Sequence, residues 1–350
     1  MHKTAVTMAL LSAALFGAAT PASKWLLNDL TPFQLAGLLY LGAALAVAPA
    51  ALRQGGLALP RRGDGRNRLR LLGAVLFGGV LGPVALLFGL EAAASTSVSL
   101  WLNAELAATA VLGALVFRDH LTAKGWWGVG AAIAASALLA WEPGPAGLLA
   151  GGLVLAACLC WGMDNHLTAL IDGITPSQST LWKGAVAGAV NLGIGVALQP
   201  LAAGWEAVAG ALVVGALSYG ASIVLYIRAA QAMGATRAQV LFATAPLFGI
   251  VLAVLALGES FTLVHGVASL LFAAGVAFLM VEEHGHEHAH EAMSHAHYHG
   301  HDDGHHTHVH PGLPPWVRHS HPHEHEAVRH SHPHWPDLHH RHRHRHEAEE

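Results

Sequence analysis

A carboxylate stands near the middle of an otherwise apolar run, Glu105 within the stretch Ser95 to Phe117. The run is long enough for one bilayer crossing, roughly 20 residues at a 1.5 Å rise each. A charge at that depth costs at least about 2.5 kcal/mol, so it must face protein, a water-filled cavity or a partner cation. The chemistry open to Glu105 is the binding of a cationic group or the carriage of a coupling proton. Asn103 lies two residues before it and points to another side of a helix.

The other polar residues inside apolar runs are few: Asp164, Asn165 and His166, then Lys183 and Asn191, Tyr219 and Tyr226, and Thr244. Antiparallel threading brings Asp164 and Lys183 to the same depth on adjacent helices. A structural or gating ion pair is the favoured reading of these two, over a substrate role for Lys183, because intramembrane charges commonly pair. Glu105 is read instead as lining a midplane cavity, with Asn103, Trp101, Tyr219 and Thr244 as wall residues. Cys158, Cys160, Asp164 and His166 mix soft and borderline metal ligands. The stronger reading of the cysteines is as small apolar core residues. No nucleophile–base pair, phosphate loop or closed metal motif is present, which points away from an enzyme.

The densest chemical signal lies at the C-terminus. Residues 282–350 hold 24 of the 28 histidines. They include His284, His286, His288 and His290, then His295, His297, His299 and His301, then His319, His321, His323 and His325. Neutral imidazoles at this density bind Zn, Ni, Co or Cu ions through many overlapping ligand sets. Protonation near pH 6 would make the tail basic and weaken such binding, so a pH-responsive tail is the second reading. With almost no apolar residues, the tail is expected to be disordered and to bury no core.

These residues need a scaffold. The 350 residues are 53% hydrophobic and only 11% charged, whereas a soluble domain carries about 25% charged residues. Ten apolar runs divide residues 1–281: 4–24, 33–52, 70–90, 96–117, 124–141, 147–166, 178–199, 207–227, 236–257 and 262–281. Short joints make neighbours antiparallel. The basic residues of the joints, Arg53, Arg61, Arg62, Arg66, Arg68, Arg70, Arg118, Lys124, Arg228 and Arg237, fall on one side with Lys3. The other side has only Lys24, with Asp29, Glu91, Glu142, Glu206 and Glu259. The positive-inside rule therefore places both termini, and the histidine tail, in the cytoplasm. Trp25, Trp126, Trp127 and Trp141 sit near run ends, as interface anchors do.

The chain also repeats. Sliding residues 88–141 by 140 positions matches Thr96 with Thr236, Leu115 with Leu255, Asp119 with Glu259 and Thr122 with Thr262. The string Gly17…Thr31-Pro32-Phe33-Gln34 matches Gly162…Thr175-Pro176-Ser177-Gln178. Two five-span halves of opposite orientation follow, because five is odd. Inverted repeats of this kind carry their site near the midplane where the halves meet. The fold expected is an all-α polytopic membrane protein with ten transmembrane helices in two inverted five-helix repeats, 1–141 and 142–281, followed by the tail 282–350.

With these residues in view, the chain resembles the EamA type of the drug/metabolite transporter superfamily. The resemblance rests on Phe16-Gly17 and Trp161-Gly162 in the first helix of each half, on Asp119 and Glu259 after the fourth, and on Ala243-Thr244-Ala245-Pro246 in the ninth span. The first half departs from the pattern, with Asn103-Ala104-Glu105 opposite Ala243-Thr244-Ala245. The resemblance implies a multi-pass bacterial inner-membrane secondary transporter that moves a small metabolite, amino acid or drug-like solute by alternating access. It implies no required cofactor. The partners expected are the lipid bilayer and a small-molecule substrate, without nucleic acid, and a homodimer is left open. Two alternatives come from the tail: a divalent metal or metal-chelate transporter, and a membrane-tethered metal buffer or sensor.

Overall fold

The structure, a computed structural model, describes residues 2–117, 123–140, 145–233, 235–280, and four tail segments, 285–290, 293–299, 319–325 and 328–333. In chain order the helices are α1 (His2–Gly17), α2 (Ala19–Leu26), α3 (Pro32–Arg53), α4 (Gly65–Gly73), α5 (Gly82–Ala92), α6 (Ser95–Trp101), α7 (Ala104–Leu115) and α8 (Ala123–Ala140). They continue as α9 (Pro145–Ala169), α10 (Pro176–Leu198), α11 (Trp205–Val214), α12 (Ser222–Met233), α13 (Ala235–Phe242), α14 (Ala245–Leu257) and α15 (Leu263–Met280). Two π-helical segments, Ala74–Leu81 and Gly215–Ala221, join α4 to α5 and α11 to α12.

Among the described residues, seven helical runs are long and apolar enough to cross a bilayer: Thr4–Leu26, Pro32–Arg53, Gly65–Ala92, Ser95–Leu115, Gly147–Ala169, Pro176–Leu198 and Trp205–Met233. Shorter apolar helices at Trp126–Ala135, Ala245–Leu257 and Leu263–Gly275 stand at the other three expected crossings. Their outward faces are apolar, with Leu45, Leu72, Leu148, Val213 and Leu255 exposed, as lipid contact requires. Trp25, Trp126, Trp127 and Trp205 are exposed near run ends, where interface aromatics belong. Trp141 and Asp119 lie outside the described residues.

The inverted repeat is visible in the backbone. The π segment Ala74–Leu81 has its counterpart in Gly215–Ala221, and the break between α6 and α7 at Leu102–Asn103 has its counterpart between α13 and α14 at Ala243–Thr244. Both pairs follow the 140-residue offset to within one residue. α3 and α10 open on matching capping boxes, Thr31 with Gln34 and Thr175 with Gln178, each with proline at the first turn. The same two glutamines bond across the halves. Gln34 Nε2 donates to the carbonyl of Gln199 at 2.8 Å, past the end of α10, and Gln178 Nε2 donates to the carbonyl of Gln54 at 3.3 Å, past the end of α3. Each half thus caps the helix end of the other, which satisfies carbonyls that a helix terminus leaves open.

Close approach at this seam depends on small residues. A Cβ at Gly184 would stand 2.7 Å from the Tyr40 carbonyl oxygen, and one at Gly37 would stand 2.5 Å from the Leu192 nitrogen. Gly17 meets the Ala245 carbonyl in the same way, and Gly162 meets the backbone of Thr109. The aromatic–glycine pairs therefore seat α1 and α9 against the two broken crossings.

Four segments of the tail are extended. Gly285–His290 pairs antiparallel with Val328–Pro333, and Met293–His299 pairs antiparallel with His319–His325. Histidine alternating with other residues has the period of a strand, two residues, so extended pairing is open to these segments even without an apolar face to bury. His284 and His301 lie outside the described residues, whereas His286, His288, His290, His295, His297, His299, His319, His321, His323 and His325 lie in these paired segments.

Candidate functional site

The site grows from helix irregularities. In a π-helical segment the i→i−4 ladder is interrupted, and such bulges often sit at functional sites. Here Tyr40 Oη and Trp161 Nε1 donate to the carbonyl of Gly78, the latter at 3.2 Å, and Asn191 Nδ2 donates to that of Gly79 at 2.9 Å. Side chains from α3, α9 and α10 are thereby fixed around one point. Gly78 has no Cβ, and the Asp164 carboxylate occupies the space a Cβ would take.

Asp164 and Lys183 are brought together as the sequence predicts: Lys183 Nζ donates to Asp164 Oδ2 at 2.6 Å, and the lysine is 2% exposed. Thr168 Oγ1 donates to the Asp164 backbone carbonyl one turn earlier. Glu105 begins α7 at the break in its crossing and is 5% exposed. Its Oε1 accepts from Asn165 Nδ2 at 2.8 Å. The same amide nitrogen lies within hydrogen-bond distance of Thr109 Oγ1 at 3.1 Å and Gln239 Oε1 at 3.2 Å, and its two N–H groups are shared among the three acceptors. Asn165 thus ties α7, α9 and α13 together beside a buried carboxylate. Among the described residues Glu105 forms no ion pair.

Two cavities meet at Glu105. The larger holds about 460 Å³ of empty space, counting the part open to solvent. Its charged lining is Glu105, Asp164 and Lys183, with Asn165 and Thr168 beside them. Its rings are Phe16, Tyr40, Trp161, Tyr219, Tyr226 and Phe242. The smaller, of about 330 Å³, reaches Thr20, Ser99, Leu102 and Pro246. Phe16, Glu105 and Phe242 line both. Because α1 and α6–α7 run in opposite directions, Thr20 and Ser99 lie on one side of this shared wall and Asp164 and Lys183 on the other, toward the arginine-rich joints.

Of the other expected wall residues, Tyr219 lines the larger cavity. Trp101, Asn103 and Thr244 line neither. The reason is local. Asn103 and Thr244 sit at the two helix breaks and turn back onto backbone, Asn103 Nδ2 to the Leu100 carbonyl at 3.3 Å and Thr244 Oγ1 to the Leu241 carbonyl at 2.8 Å. Trp101 packs in the core against α9, 3.4 Å from where a Cβ on Gly151 would stand. His166 does not reach water: it is fully buried, shares a hydrogen bond of 2.9 Å with the Thr109 carbonyl oxygen and stacks on Phe117. Cys158 is likewise buried, with Sγ 3.8 Å from the Trp101 carbonyl oxygen. Among the described residues no three His, Cys, Asp or Glu side chains gather as a metal site.

Tyr40, Gln239, Phe16 and Phe242 were not among the expected wall residues. Gln239 is a polar residue inside the ninth apolar run and was open to the argument applied to Asn165. Phe16 and Phe242 carry no such mark, since an aromatic residue in an apolar span faces lipid, core or cavity with the same composition.

At the end opposite the arginine-rich joints, Glu259 closes the N-terminus of α6. Its carboxylate accepts from Ser95 N at 3.0 Å, Ser95 Oγ at 2.6 Å and Thr96 N at 2.7 Å. Burial pushes its pKa up, but these bonds outweigh burial and leave it below the ordinary value.

Ten membrane helices in two inverted repeats, with an aromatic-walled cavity holding buried charges at broken helices between them, follow the plan of a solute carrier. The chain belongs to the EamA-like transporter family, which matches residues 3–141 and 148–281. It is 27% identical over 290 residues to an uncharacterized transporter of Methanothermobacter thermautotrophicus, covering 75% of this chain and 82% of the relative. A crystal structure of a protein 15% identical superposes with a TM-score of 0.60 over 79% of this chain and 98% of that one, a likeness of fold alone.

Proposed function

We propose that this multi-pass membrane protein is a secondary transporter of a bacterial inner membrane. It moves a small metabolite, amino acid or drug-like solute by alternating access through the cavity between its repeats. Both termini are cytoplasmic in this reading. The observation that supports it is the shared wall of Phe16, Glu105 and Phe242, with one cavity toward each end of the bundle. A carrier needs a midplane element that a substrate can approach from either side, and broken helices at that depth supply polar backbone without exposing it to lipid.

The test is solute uptake by the purified full chain in proteoliposomes, run against a panel of metabolites and amino acids. Saturable uptake that falls at least about tenfold in Glu105→Gln is the expected result, since the substitution removes the charge the cavity is built around. Uptake of none of the panel counts against transport. Full activity in Glu105→Gln counts against the carboxylate. A role in divalent metal transport or buffering rests on the composition of residues 282–350 alone, because the described residues outside the tail gather no ligand set.

A further inference from the structure

The charges and rings of the larger cavity restrict what it can hold. Two carboxylates and one ammonium line it, and the ammonium is already taken: Lys183 is bonded to Asp164 at 2.6 Å in a buried setting. An anionic ligand would have to draw Lys183 away and leave Asp164 buried without its partner, which is strongly unfavourable. Glu105 faces the same space with an amide as its partner and without an ion pair among the described residues. The cavity therefore carries one formal negative charge in excess. Around that charge the wall is aromatic. Phe16 is the hub of the ring cluster, with ring centroids 5.9 Å from Trp161, 5.4 Å from Tyr219 and 5.1 Å from Phe242. Tyr40 adjoins Tyr219 at 5.3 Å and Tyr226 adjoins Phe242 at 5.2 Å. Ring faces attract cations and bury apolar groups.

We propose that the substrate class of this cavity is a small organic monocation with an aromatic or bulky apolar group. Its cationic end sits at Glu105 and its apolar part lies against the rings around Phe16. This deepens the transporter reading and rests on it. A carboxylate-bearing substrate is disfavoured at the same site because the Asp164–Lys183 pair offers it no free cation.

The probes are 2-phenylethylamine, phenylalanine and 3-phenylpropionate, which share a ring and differ in charge: cation, zwitterion and anion. Binding is measured by calorimetry on the purified full chain in detergent, and exchange of each radiolabelled probe is measured in proteoliposomes. The expected result is binding of the amine at least about tenfold tighter than of the other two. Glu105→Gln should remove that preference, and Phe16→Leu should weaken the amine while keeping the order of the three. Tighter binding of the zwitterion or the anion, or binding of none of the three, overturns the proposal. The charge series on the unaltered protein decides the matter even where a variant does not fold. Exchange of the zwitterion or anion alone would leave transport standing and refute the substrate class. Binding of the amine without its exchange would support the site and count against transport.

Discussion

Asp164 and Lys183 meet in the interior as an ion pair. Pairing at 2.6 Å offsets much of the desolvation of both groups, and a buried pair is often no more stable than apolar residues of the same shape. Removing one partner is different, because it strands a charge. Lys183→Met should therefore destabilise the protein by roughly 3–5 kcal/mol. Asp164→Asn combined with Lys183→Met should recover most of that loss. Thermal unfolding in detergent, followed through a double-mutant cycle, checks this. Equal stability of the single and double variants would show that the two groups do not act as a pair. Glu105 sits on the other side of this comparison: it accepts from the amide of Asn165, and Glu105→Gln leaves no charge behind.

At the scale of elements, a polar knot joins the start of α4 to the end of α9. Asp64 accepts from Asn67 N at 3.0 Å and Asn67 Nδ2 at 2.6 Å, and Asn67 Oδ1 accepts from Asp172 N at 3.2 Å. Arg70 Nη1 donates to the Leu170 carbonyl at 2.6 Å, closing the C-terminus of α9 with a cation as the helix dipole favours. Burial pushes the Asp172 carboxyl up to about 6 from 3.8, with the Asp64 charge adding to it and the Gly173 N–H and Arg70 opposing. Because the folded value lies above the unfolded one, the favourable contribution of the protonated acid is complete below pH 3.8 and is lost as pH rises through about 6. Asp172→Asn should thus stabilise the protein above pH 6 by up to about 2 kcal/mol, and the gain should fade on acidification. Melting curves between pH 4 and pH 8 test the sign. The elements themselves were largely legible in the sequence: all ten crossings follow from apolar runs, and matching caps at Thr31 and Thr175 mark the same point in both halves. The π segments were not, since Ala74–Leu81 and Gly215–Ala221 are apolar, glycine-bearing stretches like many others in the chain. Nor were the faces of the spans, because helices apolar all round lack the stripe that would orient them. That is why Glu105 and the Asp164–Lys183 pair could be singled out from type alone, while Phe16, Tyr40 and Phe242 needed the packing.

The whole molecule is polarised by charge across the membrane. Arg61, Arg62, Arg66 and Arg68 cluster at the end where α1 begins, and Asp29, Glu91, Glu206 and Glu259 stand toward the other end. The structure sharpens this asymmetry. Lys24, the basic residue assigned to the acidic side, has its ammonium turned onto backbone, donating to the Leu90 carbonyl at 2.7 Å and the Ala93 carbonyl at 2.8 Å at the end of α5. Its charge caps a helix and is only partly offered to the headgroups. The counter-bias on that side is therefore weaker than its residue count, which favours the proposed orientation with the arginine end in the cytoplasm. Single cysteines test the orientation in a Cys158→Ser, Cys160→Ser background, with Asn28→Cys and Ala202→Cys on the acidic end and Arg62→Cys on the basic end, all three at exposed positions. A membrane-impermeant maleimide applied to intact cells should label Asn28→Cys and Ala202→Cys and spare Arg62→Cys until the membrane is permeabilised. The reverse pattern would place the arginine end outside. An even number of crossings puts the tail on the same side as the N-terminus, so that outcome would also move the 24 histidines of residues 282–350 out of reach of cytoplasmic metal.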